Sequence, residues 1–232
     1  MDPKSDLRAD EGTLLLVRKP AGWTSFDVVN KIRHLFGIRK VGHAGTLDPL
    51  ATGLLIVCTG RKTKEISALV GLEKEYEAEM TLGARTASFD AGTPVLETRS
   101  TENITEDAVR EVLRGFVGTQ PQVPPMWSAL KVGGRRLYKY AREGTEVTRA
   151  PREISVRSIV PKEVHLPRVR FTVVCSKGTY VRSLVNDMGE RLGCLAYLSA
   201  LERTRIGQFH LADSLTIEEL SLSRCARSAG AE

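Results

Sequence analysis

The stretch GHAGTLDPLATGLLIVC, residues 42–58, sets three glycines and one proline against five unbroken apolar residues. Its first part reads as a loop and its last five residues as a short buried strand. The loop offers His43, Thr46 and Asp48. It is not a phosphate cradle, because the order G-x-x-x-x-G-K-[ST] is absent and Gly42 to Gly45 has the wrong spacing for G-x-G-x-x-G. Asp48 precedes Pro49, which biases its backbone toward an extended conformation, so the carboxylate is expected to project from the loop. Two readings stand for Asp48: a turn aspartate that satisfies local N–H groups, common beside Pro and Gly, or a functional carboxylate. His43 is open in the same way, as a hydrogen-bonded loop residue or as part of a site.

Outward from this loop, the elements alternate without repeat or low-complexity sequence. GTLLLVRK reads as a strand, and Thr24 or Ser25 caps a helix whose apolar positions Val28, Val29, Ile32, Leu35 and Phe36 keep the 3.6-residue period up to Gly37. In EYEAEMTLG, Tyr76, Ala78, Met80 and Leu82 alternate with polar residues, the pattern of a half-buried strand. Thr105 caps a second helix with Ala108, Val109, Val112, Leu113 and Phe116 inward. RVRFTVVCS reads as a strand. After it, Thr179 is expected to cap a helix with Val181, Leu184, Val185, Met188 and Leu192 on one stripe and Gly193 beyond its end. Thr216 and Glu219 have capping-box spacing. Strands and helices in no strict βαβ order indicate an α+β fold. Residues 121–152 break the pattern, proline-rich in front and basic throughout, and read as a mobile, exposed insertion with a short helix near Leu137–Ala141.

The chain of 232 residues suits one domain, or one carrying an insertion, and its 41% hydrophobic content excludes wholesale disorder. Residues 1–12 are charged, read as disordered, and lack the apolar core of a signal peptide. No apolar run approaches the roughly 20 residues that span a bilayer, so no membrane role and a cytoplasmic home are expected. The net charge of +6 is unevenly placed. Residues 13–40 and 131–152 each carry +5 and residues 168–182 carry +4, whereas residues 85–111 carry −3. Positive charge gathered in three patches fits a polyanion along one surface, or solvated faces. Cys58, Cys175, Cys194 and Cys225 are widely spaced, and the four histidines form no H-x-x-x-H. A metal is therefore not expected, and Cys58 and Cys175, in apolar runs, read as buried inert thiols.

KPAGWTS (19–25), GHAGTLDPLATGLL (42–55), KEYEAEMTLG (74–83), SALKVGGRRLYKYAREG (128–144) and CSKGTYVRSLVNDMGERLG (175–193) resemble, in order and spacing, the TruB family of tRNA pseudouridine synthases. The resemblance covers roughly residues 13–220, and G-H-x-G-T-L-D-P is its most specific motif. It implies the pseudouridine synthase fold, a mixed, largely antiparallel sheet with flanking helices, in a catalytic domain over residues 13–232. It also implies isomerisation of the T-loop uridine of tRNA, position 55, with the T-arm as partner, base flipping and a possible accessory role in tRNA folding. The reaction breaks the bond from ribose C1′ to uracil N1 and rejoins the base through C5. No redox change or group donor is involved, so no cofactor is expected. A monomer without an obligatory protein partner is expected as well. Many bacterial members continue into a small RNA-binding PUA domain, which this chain is expected to lack.

Carried over residue by residue, Asp48 matches the essential aspartate of the family. Three roles are open to it: attack on C1′, attack on the base, or removal of a ribose proton. Tyr76 matches the tyrosine that stacks on the flipped base, and His43 the residue that packs against the disrupted RNA stack. Arg182 matches the arginine that pairs with the aspartate and keeps it ionised; by itself it also suits a phosphate contact or solvent. Tyr180 and Leu201 match substrate-pocket positions. The insertion corresponds to a loop that clamps the T-arm, with Arg135, Arg136, Lys139 and Arg142 suited to phosphate contacts. Lys19 and Lys64 are further candidates for the RNA face.

Overall fold

The computed structural model describes residues 12–222, which fall into two compact units. The first holds the chain up to Tyr76 and again from Glu202, and the second runs from Glu77 to Leu201. The first unit opens with β1 (Leu14–Lys19), α1 (Ser25–Phe36), β2 (Val41–His43), β3 (Thr52–Thr59), a 3-10 turn at Gly60–Glu65 and α2 (Ile66–Gly71). The chain enters the second unit within β4 (Lys74–Leu82), followed by β5 (Ala84–Thr86), β6 (Val95–Thr98), α3 (Glu106–Gly115) and β7 (Gly118–Gln122). Next come β8 (Lys131–Val132), β9 (Arg135–Arg136), α4 (Leu137–Arg142), β10 (Arg152–His165), β11 (Arg168–Cys175) and α5 (Val181–Leu192). The chain returns to the first unit within β12 (Ala196–Ile206) and adds β13 (Phe209–His210).

In the first unit β3 runs antiparallel to β1, from Leu14↔Cys58 to Lys19↔Gly53, and parallel to β12 through Glu202↔Thr52 and Arg203↔Gly53. Leu55 and Val57 pack with Leu15 and Val17 of β1 and with Val28, Val29 and Ile32 of α1. Leu54, Ile56 and Cys58 pack on the other side with Ile206 and Leu211. A strand covered on both faces has no use for alternation, which is why LLIVC is unbroken. Each such Leu or Ile contributes about 1.5–3 kcal/mol by leaving water. Thr24, not Ser25, caps α1: its hydroxyl accepts from Asp27 N at 3.1 Å while Asp27 Oδ2 accepts from Thr24 N at 2.8 Å. Gly37 ends the helix in the left-handed conformation, as expected. The Thr216–Glu219 capping box is also formed, at 2.7 and 3.1 Å.

In the second unit the strand order is β12-β4-β11-β10-β7, with β10 antiparallel to both β11 and β7. The architecture is thus α+β with a mixed, largely antiparallel sheet. Ala78, Met80 and Leu82 of β4 and Val169, Phe171 and Val173 of β11 are buried, whereas Arg168 and Arg170, which alternate with the first of these in β11, are exposed. Thr105 caps α3 by accepting from Ala108 N at 3.2 Å, and α3 packs on α5 and β10. Two sequence expectations need correction. The irregular segment begins only after Gln122, because residues 118–122 form β7; this is an edge strand, where Pro121 costs no ladder bond. The N-cap of α5 is Tyr180, not Thr179, whose hydroxyl lies 3.4 Å from that of Ser176. Among the described residues no side chain caps the first-turn N–H groups; the Gln122 side chain instead clasps the backbone of Tyr180, its Oε1 accepting from Tyr180 N at 2.8 Å and its Nε2 donating to Tyr180 O at 3.0 Å. Cys58, Cys175 and Cys194 are free and buried, and burial raises the Cys58 thiol to about 11, so it stays protonated. Cys225 and residues 1–11 lie outside the described residues.

Candidate active site

The segment between β2 and β3 carries Asp48, and it is held at four points along its length. Ala44 N donates to Ile56 O at 2.9 Å, which continues the β2–β3 ladder into the loop. With Thr24 occupied as the cap, the buried Ser25 hydroxyl is free to bridge Leu47, accepting from its N–H at 2.9 Å and donating to its carbonyl at 3.2 Å. Pro49 O accepts from Gly22 N at 2.8 Å and from Lys19 Nζ at 3.2 Å. Arg203 reaches from β12, donating from Nε to Leu54 O at 2.8 Å and from a terminal nitrogen to Gly45 O at 3.1 Å. Asp48 therefore sits between two clamped neighbours, Leu47 and Pro49, and its own carbonyl accepts from Ala51 N at 3.1 Å. Its carboxylate is half-buried and acts on Lys19 through space, favouring the charged amine.

Two buried cations flank this loop, and neither was expected there. Lys19, a candidate for the RNA face, is fully buried, with Nζ donating to Pro20 O (2.9 Å), Trp23 O (2.6 Å) and Pro49 O (3.2 Å). This corrects the sequence reading: an ammonium committed to three carbonyls in the interior has no reach to a phosphate. Burial lowers its pKa to about 8, opposed by Asp48 and reinforced by Arg203. Arg203 is 1% exposed. His43, half-buried at the end of β2, has its pKa lowered by burial and then by Arg203, with Gly45 acting against them, so the ring is neutral near pH 7. Tyr76 is buried in β4. Lys64 is exposed on the 3-10 turn, where Glu65 is taken by Lys62 at 2.7 Å.

In the second unit Arg182 is buried rather than solvated. It donates to Ser88 O at 2.9 Å and to Trp127 O at 3.0 Å, and its Nε stands 3.4 Å from Asp90 Oδ2. Asp90 is itself held, accepting from the Ser88 hydroxyl at 2.5 Å and from Gly92 N at 2.9 Å. The first turn of α5 thereby fastens the root of the insertion: Tyr180 to Gln122, Ser183 to Val123 O at 3.2 Å and Arg182 to Trp127. Tyr180 and Leu201 are half-buried.

The insertion has more structure than its composition suggested. Lys131 and Val132 pair with Arg136 and Arg135 across Gly133–Gly134, both with positive φ (59° and 80°), a two-residue hairpin turn. Leu137, fully buried, anchors α4. Arg135 pairs with Glu143 and lies 4.8 Å over the Tyr140 ring, and Arg142 lies 5.4 Å over Tyr138. Arg136 and Lys139 are exposed, with no carboxylate in ion-pair range among the described residues. Among those residues no three His, Cys, Asp or Glu side chains gather where they could hold a metal ion, and no helix is long and apolar enough to cross a membrane.

Of the twelve residues expected in the site, the first unit thus places Asp48, His43 and Lys19 around one clamped loop, with Tyr76 in β4. The second unit joins Arg182 and Tyr180 at one helix terminus. Arg203, Ser25, Asp90 and Gln122 were missed. None of the four had a local signal in the sequence.

Residues 33–181 match the family model described as TruB family pseudouridylate synthase (N terminal domain), and residues 182–229 match the tRNA pseudouridylate synthase B C-terminal domain. A protein of Chloroherpeton thalassium named tRNA pseudouridine synthase B is 46% identical over 90% of this chain and 89% of its own. One of the same name from Phocaeicola vulgatus is 47% identical over 90% and 91%. Among solved structures, a chain of a Cbf5-Nop10-Gar1 complex superposes with a TM-score of 0.74 at 29% identity, over 97% of this chain and 58% of that one. The motif-bearing loop, the two family matches and these relatives agree: the chain belongs to the TruB family of pseudouridylate synthases.

Proposed function

We propose that this chain is a stand-alone tRNA pseudouridine synthase acting on the T-loop uridine, with Asp48 as its essential carboxylate. The observation that carries the reading is the clamped loop: in a chain 46–47% identical to named tRNA pseudouridine synthases, the motif aspartate is fixed on both sides by Ser25, Gly22 and Lys19. Catalysis gains most from groups held in place before the substrate arrives, since no reorganisation is then needed in the transition state. The uracil N1–C1′ bond breaks, the base turns, C5 bonds to C1′, the C5 proton leaves and N1 takes up a proton, so that substrate and product are isomers. No electrons or donated groups enter, so the reaction runs on this chain's side chains alone. Tyr76 is assigned to the flipped base, Arg182 to the reaction, His43, Tyr180 and Leu201 to the substrate, and Arg135, Arg136, Lys139, Arg142 and Lys64 to phosphates. A cytoplasmic monomer needing no protein partner is part of this reading.

The test is tritium release from a T-arm hairpin carrying C5-tritiated uridine. Asp48→Asn should bind the hairpin within about threefold of wild type and release no tritium. Retained release would remove Asp48 from the chemistry. The resemblance to a chain from a Cbf5-Nop10-Gar1 complex favours a second reading, a synthase that works only inside a particle. Turnover by the purified chain alone decides against it.

A further inference from the structure

We infer that Arg203 is a positioning residue for the loop that carries Asp48. Its guanidinium ties Gly45, three residues before the aspartate, to Leu54, six residues after it, and so sets the span across which the carboxylate is presented. This rests on Asp48 being the essential carboxylate and names what holds it there.

Three observations converge. The side chain is 1% exposed, and its hydrogen bonds go to backbone carbonyls at the two ends of the loop, at 2.8 and 3.1 Å. Among the described residues no carboxylate lies within ion-pair distance of it. A buried cation without a countercharge is costly to a fold, so its presence needs a compensating role. Its backbone is fixed just as firmly: Arg203 pairs with Gly53, and a Cβ on Gly53 would stand 2.4 Å from Arg203 O and 2.6 Å from its N. Only a glycine at that position, with φ +103°, lets β12 come close enough for the guanidinium to span the loop. The planar fork carries its donors on separate nitrogens, so that Nε serves Leu54 O while a terminal nitrogen serves Gly45 O at the other end of the loop. A lysine would keep the charge but gather its donors on one nitrogen, losing the spread that joins the two ends of this loop.

The experiment compares wild type, Arg203→Lys and Asp48→Asn by three measurements: RNA binding, the single-turnover rate at saturating T-arm hairpin, and amide hydrogen exchange of the free protein. Arg203→Lys should bind RNA within about threefold of wild type and lose about 30- to 100-fold in single-turnover rate, the scale on which small displacements of a catalytic group act. Exchange should quicken at the Leu47 and Ala51 amides, which lie inside the span, and stay unchanged in α1. A variant that converts within twofold of wild type, or whose Leu47 and Ala51 amides remain as protected, overturns the inference. Should Arg203→Lys fail to fold, the native protein still decides: rapid exchange at Leu47 and Ala51 would show that the loop is not held. If Asp48→Asn converts normally the catalytic assignment falls, while the exchange data still report on Arg203.

Discussion

Replacing Lys19 by methionine converts its buried charge into a measurable pH dependence. In the folded chain the amine has a pKa of about 8 against an ordinary 10.5, chiefly because burial strips it of water. Below pH 8 the amine is protonated in both the folded and unfolded chain, and pH does not distinguish them. Between 8 and 10.5 the folded amine is neutral while the unfolded one keeps its proton. The unfolded state then binds more protons, and stability rises with pH. Each pH unit in that window is worth about 1.4 kcal/mol, so wild type should gain about 2 kcal/mol relative to Lys19→Met between pH 7 and pH 9.5. Other titrating groups are common to both proteins and cancel in the difference. Urea unfolding of both at half-unit steps measures it. A difference that is flat over this range, or that falls, would refute the buried, carbonyl-bound ammonium and restore Lys19 to the surface.

Three further outcomes follow from the geometry. Gly53→Ala should cost more than about 3 kcal/mol in urea unfolding, because the added carbon collides with the Arg203 backbone at a positive φ; a loss under 1 kcal/mol would deny the close β3–β12 approach. Asp90→Asn removes the carboxylate that stands 3.4 Å from the Nε of buried Arg182 and should destabilise the chain by about 1–3 kcal/mol, with a loss below about 0.5 kcal/mol contradicting the pairing. Neutralising Arg135 and Arg136 together should weaken hairpin binding and flatten the slope of log affinity against log salt by about 1–2; an unchanged slope removes them from the RNA interface.

What was legible in the sequence, and what was not, divides along physical lines. Elements made by one local rule were readable: α1 announced itself by period, cap and terminal glycine, and β3 by its unbroken apolar run. β10 was missed because register shifts between Val156 and Ser158 and between Pro161 and Glu163 break the alternation that marks a strand. β12 was missed because it carries a buried arginine, so its pattern ERTRI reads as solvent-facing. The same argument covers the site. Asp48 stands out because a motif surrounds it, but what restrains its loop is long-range: Ser25 lies 22 residues from Leu47, and Arg203 lies 149 residues from Leu54. Lys19 failed for the opposite reason, since charge in a basic stretch looks the same whether it meets phosphate or three carbonyls of its own chain. The partners that fix a charge, rather than the charge itself, decide its role. Those partners are set by the fold, so in this chain the residues proposed to bear the chemistry stand out in the sequence and the residues that hold them do not.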